Sequence, residues 1–123
     1  MATRATRKAR GSETQNLAAQ WYRERGWPFV ESTGAGRSGR DLVGMPGLAP
    51  EVKARRDFNP LAWLRQAAAN ASTDLPFVLF RPDGMGEKSI GQWGVLLTNE
   101  DFTRLLRDAG YGDPPDVRKV DMG

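Results

Sequence analysis

At 123 residues, with hydrophobic residues at 39% and aromatic residues at 9%, the chain has apolar material for one core, too little length for two, and too many aromatics for wholesale disorder. It holds no cysteine and no histidine, which excludes disulfides, thiolate and imidazole metal sites and His-based triads, and leaves Asp, Glu, Lys, Tyr, Ser and metal-bound water for chemistry. The net charge of +3 is concentrated at the start: Arg4, Arg7, Lys8 and Arg10 fall in the first eleven residues with no acid among them, leaving 14 of the 18 Lys and Arg against all 15 Asp and Glu in the rest.

That basic stretch, residues 1–11, reads as a flexible arm that grips a phosphate backbone or as a solvated terminus. One domain is expected over residues 12–123. No apolar run approaches the roughly 18–20 residues of a membrane helix and no secretory segment follows Met1, so no membrane partner and a cytoplasmic setting are expected.

In chain order, Ser12-Glu13-Thr14-Gln15 has the form of a capping box with Ser12 as N-cap. Leu17, Ala18, Trp21 and Tyr22 follow at helical spacing, so a first helix is predicted over Glu13 to Arg25, closed by Gly26. Trp27 to Thr33 reads as a strand and Gly34 to Gly39 as a loop. Arg40 to Val43 and Glu51 to Arg55 read as short strands joined by a turn at Met45-Pro46-Gly47. Asn59-Pro60 opens a second helix that runs to about Ala71 with Leu61, Leu64, Ala68 and Ala71 on one face. Leu75 to Phe80 is a continuous apolar run, as a central strand covered on both sides has. Gln92 to Leu97 is a further strand, and Thr98 or Asn99 caps a third helix whose buried stripe is Phe102, Leu105 and Leu106, ended by Gly110. The order is α-β-β-β-α-β-β-α. It implies an α/β (α+β) fold with a mixed five-stranded sheet flanked by helices.

Centring the turn on Met45-Pro46-Gly47 sets Asp41 opposite Glu51 across a hairpin, with Cβ atoms roughly 4.5–5.5 Å apart. Glu51 and Lys53 share one strand face because side chains alternate. Two carboxylates so close must hold a proton, a salt bridge or a cation. With the Val52 carbonyl they form an all-oxygen set suited to Mg²⁺. Lys53 then either neutralises the acids or donates to an anionic substrate. Glu13 lies on the packed face of the first helix, placed either to look into the same patch or simply to favour the helix dipole.

Asp41, then Glu51-Val52-Lys53 on the next strand, then a helix carrying Gln66, resembles the PD-(D/E)xK nuclease superfamily, and within it the archaeal-type Holliday junction resolvases and their phage relatives. The stretches that carry the likeness are "SETQNLAAQWYRERGW", "GAGRSGRDLVGM", "PEVKARR" and "WLRQAAANA", within residues 12–72; Arg40 stands where the motif has proline. The resemblance implies a restriction-endonuclease-like core and metal-dependent hydrolysis of DNA phosphodiesters. Asp41, Glu51 and the Val52 carbonyl would hold Mg²⁺ or Mn²⁺, with Glu13 ligating directly or through water. Lys53 would orient water or stabilise charge on phosphorus, and Gln66 would hold Lys53 or a water. It further implies branched double-stranded DNA as partner, contacted by the loop residues Arg37, Ser38 and Arg40, with Arg55 and Arg56 continuing a basic rim and Arg4, Arg7, Lys8 and Arg10 in the arm. A homodimer is implied because symmetric cuts need two sites, with Trp63 and Trp93 as candidate interface aromatics. The lean toward Arg, Ala and Gly fits a GC-rich genome such as a phage's. The rival readings are a nuclease of the same superfamily acting on another DNA (nicking, repair or restriction type) and a non-catalytic DNA-binding protein whose acids pair with nearby arginines.

Overall fold

The computed structural model describes residues 4–34 and 39–114. The elements occur in the expected order: α1 (Arg4–Arg23), β1 (Glu31–Ser32), β2 (Leu42–Val43), β3 (Leu48–Lys53), α2 (Pro60–Ala69), β4 (Leu75–Phe80), a 3-10 helix (Glu87–Gln92), β5 (Gly94–Leu96) and α3 (Asn99–Asp108). The fold is mixed α and β. None of its helices within the described residues is long and apolar enough to cross a membrane.

The five-stranded sheet does not form. The strands divide into an antiparallel pair, β1-β2, and a three-stranded sheet ordered β3-β4-β5, parallel at its first pairing and antiparallel at its second. Pro50 accounts for the division. Alternate residues of a strand direct their backbone groups to the same edge. Leu75 donates to the Gly47 carbonyl and Arg81 to the Lys53 carbonyl, so the odd-numbered residues of β3 serve β4 and Leu48, Pro50 and Val52 face β2. On that edge the Leu48 N–H reaches the Met45 carbonyl, Pro50 has no N–H to give, and the Val52 N–H is taken by the Asp41 side chain at 2.7 Å. Too few backbone donors remain for a ladder, as expected of proline at a strand edge. Pro76 in β4 is tolerated for a related reason: its edge faces β5, which begins pairing only at Val78.

The sheet has two covered faces. On one, Val52, Phe77 and Leu79 pack with Ala18 and Ala19 of α1 and with Trp93. On the other, Val78 packs with Trp63 and Ala67 of α2, with Phe80 against them. The apolar run Leu75–Phe80 is therefore a central strand covered by a helix on each face, as its composition predicts.

Several local expectations change. Residues from Arg4 onward are helical rather than an arm; Arg, Lys and Ala are strong helix formers, and they carry the helix through Gly11 and Ser12, so Ser12 is no cap. The helix ends two residues early, with Gly26 at φ +119° and the Trp27 N–H closing back on the Tyr22 carbonyl, a glycine C-cap. Only Glu31–Ser32 of the expected Trp27–Thr33 strand pairs. Thr98 caps α3 by accepting from the Asp101 N–H. The stripe expected to be buried on α3 stays open, with Phe102 and Leu105 exposed. Trp63 and Trp93 are core residues, not surface aromatics.

Candidate functional site

The site forms at the β2-facing edge and the C-terminal end of β3. In the parallel register Glu51 lies beside Val78 and Lys53 beside Phe80, so both side chains project from the α2-covered face. Both are buried: Glu51 is 2% exposed and Lys53 9%. The Lys53 ammonium lies 3.7 Å from Glu51 Oε2 and donates to Gln66 Oε1 at 2.6 Å. Gln66 thus holds Lys53, one of the two roles expected of it.

Asp41 arrives from another direction. It is not a cross-strand partner of Glu51, because β2 pairs with β1 instead. It precedes β2, with its carbonyl accepting from the Thr33 N–H, and its carboxylate crosses to the Val52 N–H. The side chain does what a ladder bond would have done, and the two acids still become neighbours. The Val52 carbonyl points to the same edge as its N–H, by strand geometry.

The electrostatics are those of two acids sharing a small buried volume. Burial raises the Glu51 carboxyl from 4.5 to about 7, helped by the nearby Asp41 charge and opposed by Lys53 and by the Asn70 side chain. Burial also raises Asp41, against the Val52 hydrogen bond and the Lys53 charge. Glu51 Oε1 is buried without a hydrogen-bond partner among the described residues, an arrangement that costs on the order of 1–3 kcal/mol or more unless something fills it.

By donor type, that orphaned oxygen, the Asp41 carboxylate and the Val52 carbonyl are the groups here that could hold a hard divalent cation completed by water. Beyond this pair, the described residues hold no group of three or more acidic side chains able to share a metal ion. Glu13 lies apart from the pair. Its helix packs on the opposite face of the sheet, where its carboxylate lies 3.9 Å from the guanidinium of Arg81. Alternation separates these partners: Arg81 continues the Phe77 and Leu79 side of β4, and Lys53 the other.

Two arginines have structural roles. Arg40, expected at DNA, donates to the Asn70 and Ala71 carbonyls at 3.0 and 2.6 Å, to Leu48 at 3.4 Å and to Asp74 Oδ2 at 2.6 Å. It satisfies carbonyls left over at the end of α2 and the β2-facing carbonyl of Leu48. Arg81, for which no role was expected, is buried; it donates to Thr14 Oγ1 and to the Met85 carbonyl and lies over the Trp93 ring. Its only signal in the sequence is a charge at the end of the apolar run Leu75–Phe80.

Arg55 and Arg56 are exposed just beyond Lys53. Arg56 and Arg10 both reach Asp83, each at 3.5 Å. Arg4, Arg7 and Lys8 lie on the first turns of α1; Arg37 and Ser38 lie outside the described residues. Comparison of the chain with protein-family models, with curated proteins and with solved structures finds no match.

Proposed function

We propose that this chain is a divalent-cation-dependent DNA endonuclease of the PD-(D/E)xK type, that its substrate is the four-way junction, and that it works as a homodimer. The observation that carries the reading is the buried Oε1 of Glu51 without a hydrogen-bond partner among the described residues, on a carboxylate whose other oxygen lies 3.7 Å from the Lys53 ammonium and which feels the charge of Asp41. A buried acid pair with an open oxygen is costly as a purely structural device, and that cost disfavours the rival reading of a non-catalytic binding protein.

Asp41, Glu51 and the Val52 carbonyl are the groups that would hold Mg²⁺ or Mn²⁺. When bound, the cation would lower the pKa of a coordinated water and polarise the scissile phosphate. Lys53, fixed by Gln66, would present its ammonium to a phosphate oxygen, where a positioned donor stabilises charge as it develops. The Asp41 bond to Val52 keeps the carboxylate in place before substrate arrives, so orientation is set in advance. Arg55 and Arg56 give the mouth of the patch a positive rim for the DNA backbone, with Arg10 and the basic first turns of α1 as the outer contact.

The test is incubation of a mobile four-way junction with Mg²⁺, beside matched linear duplex and the variants Asp41→Asn and Lys53→Ala. Expected are paired symmetric nicks in the junction, none in duplex, and a loss of at least about a hundredfold in each variant. Equal cutting of duplex would keep the nuclease and remove the junction preference. Cleavage without added divalent cation, or unchanged in Asp41→Asn, would remove the metal-dependent acid site; no cleavage of any DNA would remove the nuclease.

A further inference from the structure

Between β3 and α2, five residues beyond Lys53, stands an aromatic whose position hydrophobic burial does not explain. Phe58 is 54% exposed, yet its ring is held by two others. It meets Trp63 edge-on at 5.5 Å and Phe80 at a tilt, 5.0 Å between centroids, and Trp63 and Phe80 in turn pack on each other at 5.6 Å. Trp63 is a core residue. The exposed ring is therefore anchored from below and keeps its outer surface to solvent. It also has a defined place relative to the acid patch: Phe80 is the register partner of Lys53, so Phe58 lies over the same sheet face as Glu51 and Lys53. Exposed Arg55 and Arg56 stand between Lys53 and the ring in sequence.

We infer that Phe58 is a stacking platform for a nucleobase that has left the helical stack, and that it confers selectivity for a discontinuity in duplex DNA. This inference rests on the nuclease reading and deepens it. A flat apolar ring two and three residues along the chain from exposed cationic side chains matches a nucleotide, which joins a π-face to a phosphate. In an intact duplex both faces of each base are covered by its neighbours. At a branch point a base can expose one face, and the ring then has something to cover. The platform needs no sequence preference, because every base offers such a face. The neighbouring arginines hold the strand whose phosphate enters the acid patch.

The test measures binding of the full chain, with chelator present so that nothing is cut, to a four-way junction, to the same junction with abasic sites at the four branch nucleotides, and to linear duplex. The proteins are wild type, Phe58→Ala, Phe58→Leu (which keeps apolar bulk on Phe80 and Trp63) and Phe58→Tyr. The Ala and Leu variants are expected to bind the intact junction about tenfold more weakly, as loss of one base–aromatic stack implies. Phe58→Tyr is expected to bind as wild type, and all four proteins to bind the abasic junction and the duplex alike. Equal affinity of Phe58→Ala and wild type for the intact junction overturns the platform. So does an equal loss on the abasic junction, or a change in oligomeric state that accounts for the weaker binding. If wild type cuts DNA while Phe58→Ala is indistinguishable from it, the platform alone fails; if wild type neither binds nor cuts any DNA, the nuclease reading fails with it.

Discussion

Glu51 ties the chemistry of the site to the stability of the fold. Its carboxyl is raised from 4.5 to about 7 by burial and by Asp41, so the folded protein holds the proton more tightly than the unfolded chain. The stabilisation from the neutral form is complete below about pH 4.5 and is lost as pH rises through about 7. Wild type is therefore expected to be less stable at pH 8 than at pH 5, by up to about 3 kcal/mol. Asp41 is raised also and contributes with the same sign. Glu51→Gln, which keeps the shape and cannot ionise, should flatten this dependence; urea unfolding at the two pH values measures it. A cation and a proton compete for the same oxygens. The Mg²⁺ concentration giving half-maximal cleavage should accordingly climb as pH falls below 7, a trend read directly from metal titrations at several pH values. Asp41→Asn keeps an oxygen to accept the Val52 N–H, so its unfolding midpoint should stay close to wild type while cleavage is lost, separating the structural bond from the charge.

Among the elements, the two ends of β2 depend on two residues outside the acid pair. Arg40 ties that segment to the end of α2 and to Asp74, and α2 carries the Gln66 that holds Lys53. Charge-assisted hydrogen bonds of this kind contribute roughly 1.5–3 kcal/mol each when broken on one side, so Arg40→Ala should lower stability by about 2–3 kcal/mol in urea. Its effect on DNA affinity at saturating folded protein should be small, because its guanidinium is already engaged. Gly44 follows β2 at φ +91°, and a Cβ there would run into the Phe29 backbone. Gly44→Ala should destabilise by more than about 1 kcal/mol from the conformation alone, with the clash added, measured in the same experiment. Neither role was legible beforehand. A basic residue before the aspartate looks the same in sequence whether it meets a phosphate or a helix end thirty residues away. Pro50 was visible, but its effect depends on which edge of β3 faces β2, and only the partnering of β4 decides that.

For the molecule as a whole, the basic rim should act through counterion release. Replacing Arg55 and Arg56 together by Ala should weaken DNA binding across sequences and reduce the log–log salt slope by about 1 for each phosphate no longer neutralised, measured from affinities at several salt concentrations. What could be read in advance was what depends on neighbours along the chain. Element order follows from the spacing of apolar residues and from turn residues. The shared face of Glu51 and Lys53 follows from strand alternation, and the central position of Leu75–Phe80 from its unbroken apolar run. Partner choice was not local. Which strand β2 pairs with, and on which side of the sheet α1 lies, are settled by competition among hydrogen-bond donors and covered faces far apart in the chain. That competition gave Asp41 to a backbone amide, Glu13 to Arg81 and Arg40 to a helix end, and it left Phe58 standing over the face that carries the acid.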